Sequence, residues 1–288
     1  MKSSQSRRRR NLTQLVGFAF LRFVALLAII PIIAIIIYIV YKGAPAISWE
    51  FITDFPSDGM RSGGIWPAIV GTFLLTMGAA LIVTPLGIGA AIYLSEYALD
   101  NRWTQSIRIS IISLAGIPSV VYGLFGLGLF VLFLNLGISI IAGAFTLAIM
   151  TLPVIISTAE EALRAVPQSF RVVSRSLGAT KWQTVRRIVL PQAVPGLLTG
   201  VILGLERAAG ETAPILFTAA VFYLPRLPDS LLDPTMALPY HLYVIATQVP
   251  GMPEENKYGT ALVLLVFVLG MNLIATIIRS RARARRQW

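Results

Sequence analysis

Three charged residues lie close together in an otherwise apolar stretch of the sequence. The segment GLERAAGETAPIL, residues 204–216, contains Glu206, Arg207 and Glu211. In a helix, Arg207 and Glu211 are four residues apart and share a face, whereas Glu206 lies about 100° away and aligns with Gly210. A guanidinium and a carboxylate on one face can pair with each other, or can together bind a solute that carries both acceptor oxygens and a proton.

Such charges are costly inside a membrane. Counted from Pro191, Arg207 lies roughly 24 Å along a helix, somewhat beyond the middle of a bilayer. A charge near the bilayer centre costs at least about 2.5–3.5 kcal/mol, so it normally faces a partner or a water-filled path. We therefore interpret Arg207, Glu211 and Glu206 as candidates for a translocation path. The alternative is an ion pair that only neutralises itself within a packed bundle.

The residues around these charges favour a break in the helix. Ala208, Ala209 and Gly210 remove side-chain bulk and permit close approach of another helix or of a ligand. Pro214 cannot donate a hydrogen bond to the Gly210 carbonyl, so the helix should kink or break there. The run 192–223 would also be about 48 Å long as one helix, which exceeds the membrane thickness. Gly210 and Pro214 are therefore path candidates as well.

Composition places the chain in a membrane. Of its 288 residues, 56% are hydrophobic and only 13% are charged, which excludes an ordinary soluble domain. The net charge of +11 is concentrated at the two ends, beside apolar segments, where it indicates contact with lipid headgroups rather than with nucleic acid. The chain has no cysteine, so a disulfide framework and a thiolate metal site are both excluded.

The sequence predicts an all-α integral membrane protein with six transmembrane helices. Basic residues are abundant in the segments 1–15, 96–107, 160–190 and 279–288, and only four lie on the opposite side, so both termini are expected to be cytoplasmic. In the third span, Gly116, Pro118 and Ser119 indicate either a cavity-lining break or an ordinary proline kink. The predicted spans cover residues 16–41, 66–95, 107–134, 138–159, 192–223 and 259–279.

The cytoplasmic segment 160–190 has more pattern than a simple connector. Gly178 allows a sharp change of direction after a first helix, and a second short helix should place Trp182, Val185 and Val189 on one face. Because Leu190 precedes a proline, that helix is expected to end there. A loop whose arginines only set the topology would explain most of the same charges.

At these residues the chain resembles the permease subunits of ATP-binding-cassette (ABC) importers. Their signature is E-A-A-x-x-x-G-x(9)-I-x-L-P, and its second half is present, whereas Val172, Val173 and Ser174 stand at the E-A-A positions. The resemblance implies a type I importer permease fold over 66–279, with a coupling helix that contacts a separate ATPase. The residues that it assigns to this coupling are Gly178, Ala179, Thr180, Trp182, Ile188, Leu190 and Pro191.

Two further stretches, RAAGETAPIL and AGIPSVVYGLFGLGLF, are similar to the phosphate importer permeases of the PstA type. That family implies a second homologous permease, two ATPase subunits and an extracytoplasmic phosphate-binding protein as partners. The chain has no P-loop, so ATP and Mg²⁺ are expected to bind to the partner ATPase, and no cofactor or metal is expected here. A protonated phosphate suits the charges, because Arg207 can bind its oxygens while a carboxylate accepts its proton.

Two other functions remain open at this point. One is an importer of the same architecture for sulfate, molybdate or another solute. The other is a self-contained ion-coupled transporter or channel, in which the buried charges form a relay. In the outer segment 224–258, the stretch MALPYHLYVIATQV is too short to span and is expected to lie at the surface or to re-enter the membrane. His241 within it is expected to pack at the interface, since a lone histidine lacks metal co-ligands.

Overall fold

The computed structural model describes residues 2–284 as a helical bundle with one small sheet. Met1 and residues 285–288, which belong to the predicted basic tails 1–15 and 280–288, lie outside the described residues. The helices are α1 (Lys2–Gly43), α2 (Trp49–Thr53), α3 (Trp66–Ile92), α4 (Arg102–Ala115), α5 (Ser119–Gly126), α6 (Ile140–Arg164), α7 (Gln168–Ser176), α8 (Lys181–Thr184), α9 (Leu190–Gly210), α10 (Ala213–Thr218), α11 (Leu238–Thr247) and α12 (Glu254–Ala284).

Short irregular elements complete the fold. Strands β1 (Pro56–Ser57) and β2 (Ser62–Gly63) form an antiparallel pair in which Pro56 is opposite Gly63. Short 3₁₀ turns lie at Ala44–Ala46 and Asp58–Met60. Wider π-helical segments continue α3, α5 and α8 over Tyr93–Tyr97, Leu127–Phe133 and Val185–Val189.

Five continuous helices of the described chain are long and apolar enough to cross a membrane. They cover Gly17–Ala46, Trp66–Tyr97, Ile140–Arg164, Lys181–Gly210 and Glu254–Arg281. The predicted third span, 107–134, is not one straight helix, because α4 and the helix that begins with α5 meet at an angle of 100°. This bent pair supplies the sixth span of the predicted architecture.

Small residues let the central helices α3, α6 and α9 pack closely. A Cβ atom on Gly87 of α3 would lie 2.7 Å from Ile155 of α6, and a Cβ atom on Gly204 of α9 would lie 2.8 Å from the same side chain. Ile155, Leu75 and Leu147 are almost completely buried in this core. By contrast, the spanning part of α1 has no fully buried residue and packs mainly along α12, which leaves most of its apolar surface exposed.

Helix α11 packs into the bundle rather than lying on its surface, as the re-entrant alternative for this segment allows. Leu238, Val244 and Ile245 are fully buried, and the Leu238 amide donates to Thr72 Oγ1 of α3 at 2.8 Å. His241 is only 3% exposed, so it packs inside the bundle. Burial lowers the pKa of His241 to about 4, so the imidazole is neutral at physiological pH. No cluster of metal-ligating side chains is found among the described residues.

The contact between α3 and the chain before α11 can be tested with two glycines of α3. A Cβ atom on Gly71 would collide with Thr235 and with the backbone of Met236, whereas a Cβ atom on Gly89 would meet nothing. We expect Gly71→Ala to lower the free energy of unfolding by about 1–3 kcal/mol, and Gly89→Ala to leave it unchanged or to raise it by up to about 1 kcal/mol. Denaturation of the purified permease in detergent measures both, and equal stabilities would contradict this packing.

Candidate translocation and coupling sites

The fifth span breaks at the position predicted from Pro214. Helix α9 ends at Gly210, Glu211 adopts an extended conformation, and α10 begins at Ala213 with Pro214 in its first turn. Because Pro214 has no N–H, the helix cannot continue its hydrogen bonding through Gly210. The break therefore places the Glu211 carboxylate directly after the helix that carries Arg207.

Arg207 and Glu211 form a loose ion pair at this break. Arg207 Nε lies 3.5 Å from Glu211 Oε1, and the two side chains are 32% and 18% exposed. This distance is long for a charge-assisted hydrogen bond, and a guanidinium has five N–H donors. Both groups can therefore contact a third polar group without a change of fold. Glu206 is half-buried on α9, and no ion pair of Glu206 is seen within the described part of the chain.

The small residues at the break divide into two groups. Ala208 and Ala209 are buried at 4% and 1% exposure, as close packing requires. Gly210 is exposed, and a Cβ atom there would meet nothing within 4 Å. The predicted role of Gly210 in close approach is therefore not supported by the contacts of this chain, although its backbone faces open space next to Glu211.

Glu211 lines a small cavity that is bordered by α3, α6, α10 and α11. Thr72 and Thr76 of α3 contribute to its wall, as does Pro239 in the first turn of α11. The amino end of a helix carries partial positive charge, which favours a nearby carboxylate. Glu211 thus lies between Arg207, with which it pairs, and a cavity that the start of α11 borders.

The second break, at Gly116, Pro118 and Ser119, packs beside the first one. Helix α4 ends before Gly116, Pro118 is extended, and Ser119 begins α5. The hydroxyl of Tyr122 donates to the Leu114 carbonyl at 2.8 Å, and the Ile117 amide donates to the same oxygen at 3.1 Å, so this carbonyl is satisfied at the break.

Helix α5 connects this second break to α10. A Cβ atom on Gly123 would lie 3.0 Å from the Pro214 Cα atom, so α5 and α10 are in close contact. The fold therefore brings two regions that are far apart in sequence to one side of the fifth span.

The predicted reversal at Gly178 is confirmed. Gly178 has a φ of +81°, its amide donates to the Arg175 carbonyl, and the Ala179 amide donates to the Ser174 carbonyl. This is the hydrogen-bond pattern of a glycine-terminated helix. Thr180 then begins the next helix with a capping box, in which its hydroxyl and the Gln183 side chain each bond to the other's backbone.

Two details of the predicted coupling helix are wrong. The helix does not end at Leu190, because α8 continues through the π-helical segment into α9 and Pro191 lies within one continuous helix from Lys181 to Gly210. The wider π turn just before Pro191 accommodates a residue that cannot donate a backbone hydrogen bond. Ile188, Leu190 and Pro191 therefore belong to the start of the fifth span.

The second error concerns the face shared by Trp182, Val185 and Val189. Val185 and Val189 are buried, but Trp182 is 54% exposed and does not share their surroundings. Other apolar residues of this region, Val172, Val173 and Leu177, are also exposed. An apolar surface of this kind next to Ala179 and Thr180 is typical of a contact site for another subunit.

Sequence analysis missed a buried ion pair that holds α7 against the spans. Arg171 Nη2 lies 2.6 Å from Glu96 Oε1, and the two side chains are only 7% and 5% exposed. The same guanidinium donates to the carbonyls of Leu163 and Val166 at the end of α6. Arg171 therefore joins the ends of α3, α6 and α7. Glu96 and Arg171 are too far apart in sequence for any local spacing to indicate the pair.

A second set of ion pairs lies beside the first. Arg108 of α4 donates to Glu160 of α6 at 2.8 Å and to Asp100 at 3.3 Å. Glu160 also pairs with Arg164, one turn along α6, at 3.0 Å. These contacts attach α4 to α6 near the coupling segment.

Breaking the buried pair should destabilise the permease. Arg171→Met leaves the Glu96 carboxylate buried without its counter-ion, so we expect a loss of about 3–5 kcal/mol in the free energy of unfolding. Arg175→Met, on the exposed side of α7, is the matched control and should change stability by less than about 0.5 kcal/mol. A double-mutant cycle with Glu96→Gln measures the coupling, and additive effects would show that the pair does not act as a unit.

Comparison with known proteins places this geometry in a family. Residues 83–286 match the family described as binding-protein-dependent transport system inner membrane component. The chain is 36% identical over 247 residues to the probable ABC transporter permease protein YqgI of Bacillus subtilis, covering 81% of this chain and 83% of that protein. It is 36% identical over 226 residues to the phosphate transport system permease protein PstA 1 of Mycobacterium tuberculosis, covering 78% and 73%. The PstA protein of Xylella fastidiosa is 34% identical over 232 residues, covering 81% and 80%.

Solved structures agree on the fold. A permease chain of the inward-facing MetNI methionine ABC transporter is similar with a TM-score of 0.58 at 19% identity, covering 76% of this chain and 94% of that one. A chain of a bacterial ABC transporter for alginate is similar with a TM-score of 0.60 at 16% identity, covering 98% and 99%. The all-α fold is thus that of the type I ABC importer permeases, and the chain belongs to the family of binding-protein-dependent transport system inner membrane components.

Proposed function

We propose that this permease subunit of an ABC importer translocates inorganic phosphate across the inner membrane. The observation that carries the proposal is the loose Arg207–Glu211 pair at the break in the fifth span. Relatives at 34–36% identity that are named phosphate transport system permeases support the choice of solute.

The chemistry of the pair suits a partly protonated phosphate. The guanidinium of Arg207 can donate two parallel hydrogen bonds to phosphate oxygens. The Glu211 carboxylate can accept the remaining phosphate proton, which sulfate lacks at neutral pH. Glu206 on the neighbouring face of α9 gives the path a second carboxylate. The path is also bordered by the break at Gly116, Pro118 and Ser119, because α5, which follows that break, contacts α10.

Other subunits would complete the transporter. We infer a second homologous permease, two ATPase subunits that bind ATP and Mg²⁺, and a phosphate-binding protein outside the membrane. The exposed apolar side chains of Leu177 and Trp182 favour an ATPase contact at the turn that contains Gly178. Closure of the ATPases would move α7 and α8, and the helix that continues from α8 into α9 would carry this movement to Arg207. In this orientation both termini are cytoplasmic.

A transporter for another solute of the same class, or one driven by an ion gradient, would give different uptake behaviour. In cells that lack the permease, we expect the wild-type chain to restore labelled phosphate uptake that resists a protonophore while ATP is maintained. Arg207→Gln should lower uptake at least about tenfold, because the charge-assisted contacts to the anion are lost. Arg226→Gln, in an outer loop, is the control and should retain uptake.

Three results would contradict this account. Phosphate uptake that fails with the wild-type chain but recovers for sulfate or molybdate would assign another solute. Uptake that collapses with the proton gradient would assign an ion-coupled transporter. Normal uptake by a normally expressed Arg207→Gln variant would remove Arg207 from the path.

The coupling turn is tested by a pair of glycine variants. Gly178 and Gly251 both have a positive φ and open space around them, but they lie at opposite ends of the bundle. Gly178→Asp places a charge beside the proposed ATPase contact. Burying that carboxylate at the contact should cost at least about 1.4 kcal/mol, so we expect substrate-stimulated ATP hydrolysis to fall at least about tenfold. Gly251→Asp imposes similar backbone strain and should retain stimulation. Intact stimulation in Gly178→Asp would refute the coupling role.

A further inference from the structure

A polar recess lies where the end of α3 meets α4, α6 and α7. It holds about 650 Å³ of open space and is at the end of the bundle that carries the coupling segment. Its walls include four arginines and two carboxylates, namely Arg108, Arg164, Arg171, Arg175, Glu96 and Asp100. Positive charge is therefore in excess, and the recess is separate from the break that contains Arg207.

Two of the arginines balance the carboxylates. Arg171 is paired with Glu96 and with two backbone carbonyls, as described above. Arg108 donates to Asp100, to Glu160 and to the Leu94 carbonyl. The donors of these two side chains are largely used, and they form the rigid floor of the recess.

The other two arginines retain unused donors. Arg164 has one ion pair, to Glu160, and its side chain is 51% exposed. Arg175 has neither an ion pair nor a side-chain hydrogen bond with any group whose position the structure describes. The hydroxyl of Ser95 is buried in the same recess and has no hydrogen-bond partner among the described residues. A buried hydroxyl without a partner is unfavourable, so a ligand with acceptor oxygens would satisfy it.

We propose that this recess binds a phosphoryl oxyanion between Arg164 and Arg175, with the Ser95 hydroxyl as a further donor. A tetrahedral oxyanion has enough acceptor oxygens for two guanidinium groups and a hydroxyl. Free inorganic phosphate and the phosphate of a lipid headgroup share this chemistry, and both can reach the end of a membrane span. A bound anion would join the end of α6 to α7 and so hold the coupling segment in place. The inference does not depend on which solute is transported.

The test is equilibrium binding of labelled inorganic phosphate to the complete transporter in nanodiscs of phosphatidylcholine, without ATP and without binding protein. We expect the Arg164→Gln, Arg175→Gln double variant to weaken this binding at least about tenfold, because charge-assisted contacts are lost. The Arg186→Gln, Arg187→Gln double variant is the control, and it should bind within about twofold of the wild type because both changes lie outside the recess. Equal binding by the recess variant and the wild type would overturn the proposal.

A second arm identifies the source of the phosphate group. Nanodiscs that contain phosphatidylglycerol should weaken phosphate binding to the wild type if a lipid headgroup occupies the recess, and should leave it unchanged if the ligand is free phosphate. Native mass spectrometry then counts retained phosphatidylglycerol in the wild type and in the recess variant. Absence of phosphate binding together with equal lipid retention by both proteins would refute the site. If instead the proposed phosphate transport is wrong, the wild-type transporter will not take up labelled phosphate in cells but will still bind phosphate at the recess.

Discussion

The central constraint on this molecule is that a charge placed in an apolar membrane protein needs a partner. The fifth span carries Arg207 and Glu211 at a point where the helix breaks, and their separation of 3.5 Å neutralises the charges without using most of the guanidinium donors. A tighter pair in a continuous helix would neutralise the charges equally well but would have less capacity to bind a solute. Three features surround this charged pair: the break in the helix, the cavity beside Glu211 and the contact of α10 with α5.

Buried charges near the coupling segment are also paired, but their pairing leaves few donors unused. Glu96 and Arg171 are almost fully buried, and their bidentate contact together with two backbone carbonyls uses nearly all donors of the guanidinium. This contact makes α7 a rigid extension of α3 and α6. Since α8 continues into α9, a displacement of the turn at Gly178 has a direct mechanical route to the break at Gly210. One ion pair thus uses nearly all of its guanidinium donors within the fold, and the other leaves most of them unused.

Local chemistry made part of this architecture predictable from the sequence. The apolar runs, the absence of a donor at Pro214 and the reversal at Gly178 each depend on neighbouring residues, and the structure agrees with them. The predicted helix end before Pro191 was wrong because the π-helical segment Val185–Val189 lets the helix continue past a residue without an N–H. No simple residue spacing indicates a π turn. Tertiary contacts could not be predicted from local sequence. The Arg171–Glu96 pair joins residues that are far apart in the chain, and His241 is buried by contacts with other helices.

The most direct test of the translocation path is the accessibility of the broken turn to water. The chain has no cysteine, so Gly210→Cys introduces a single thiol at an exposed position where a side chain meets no neighbour, and Gly270→Cys in α12 provides a control in open space. A charged, membrane-impermeant thiol reagent should modify the cysteine at 210 but not the one at 270, and phosphate delivered by its binding protein should slow that modification. A thiol at 210 that does not react, or that reacts at the same rate with and without phosphate, would contradict a solute path along Arg207 and Glu211.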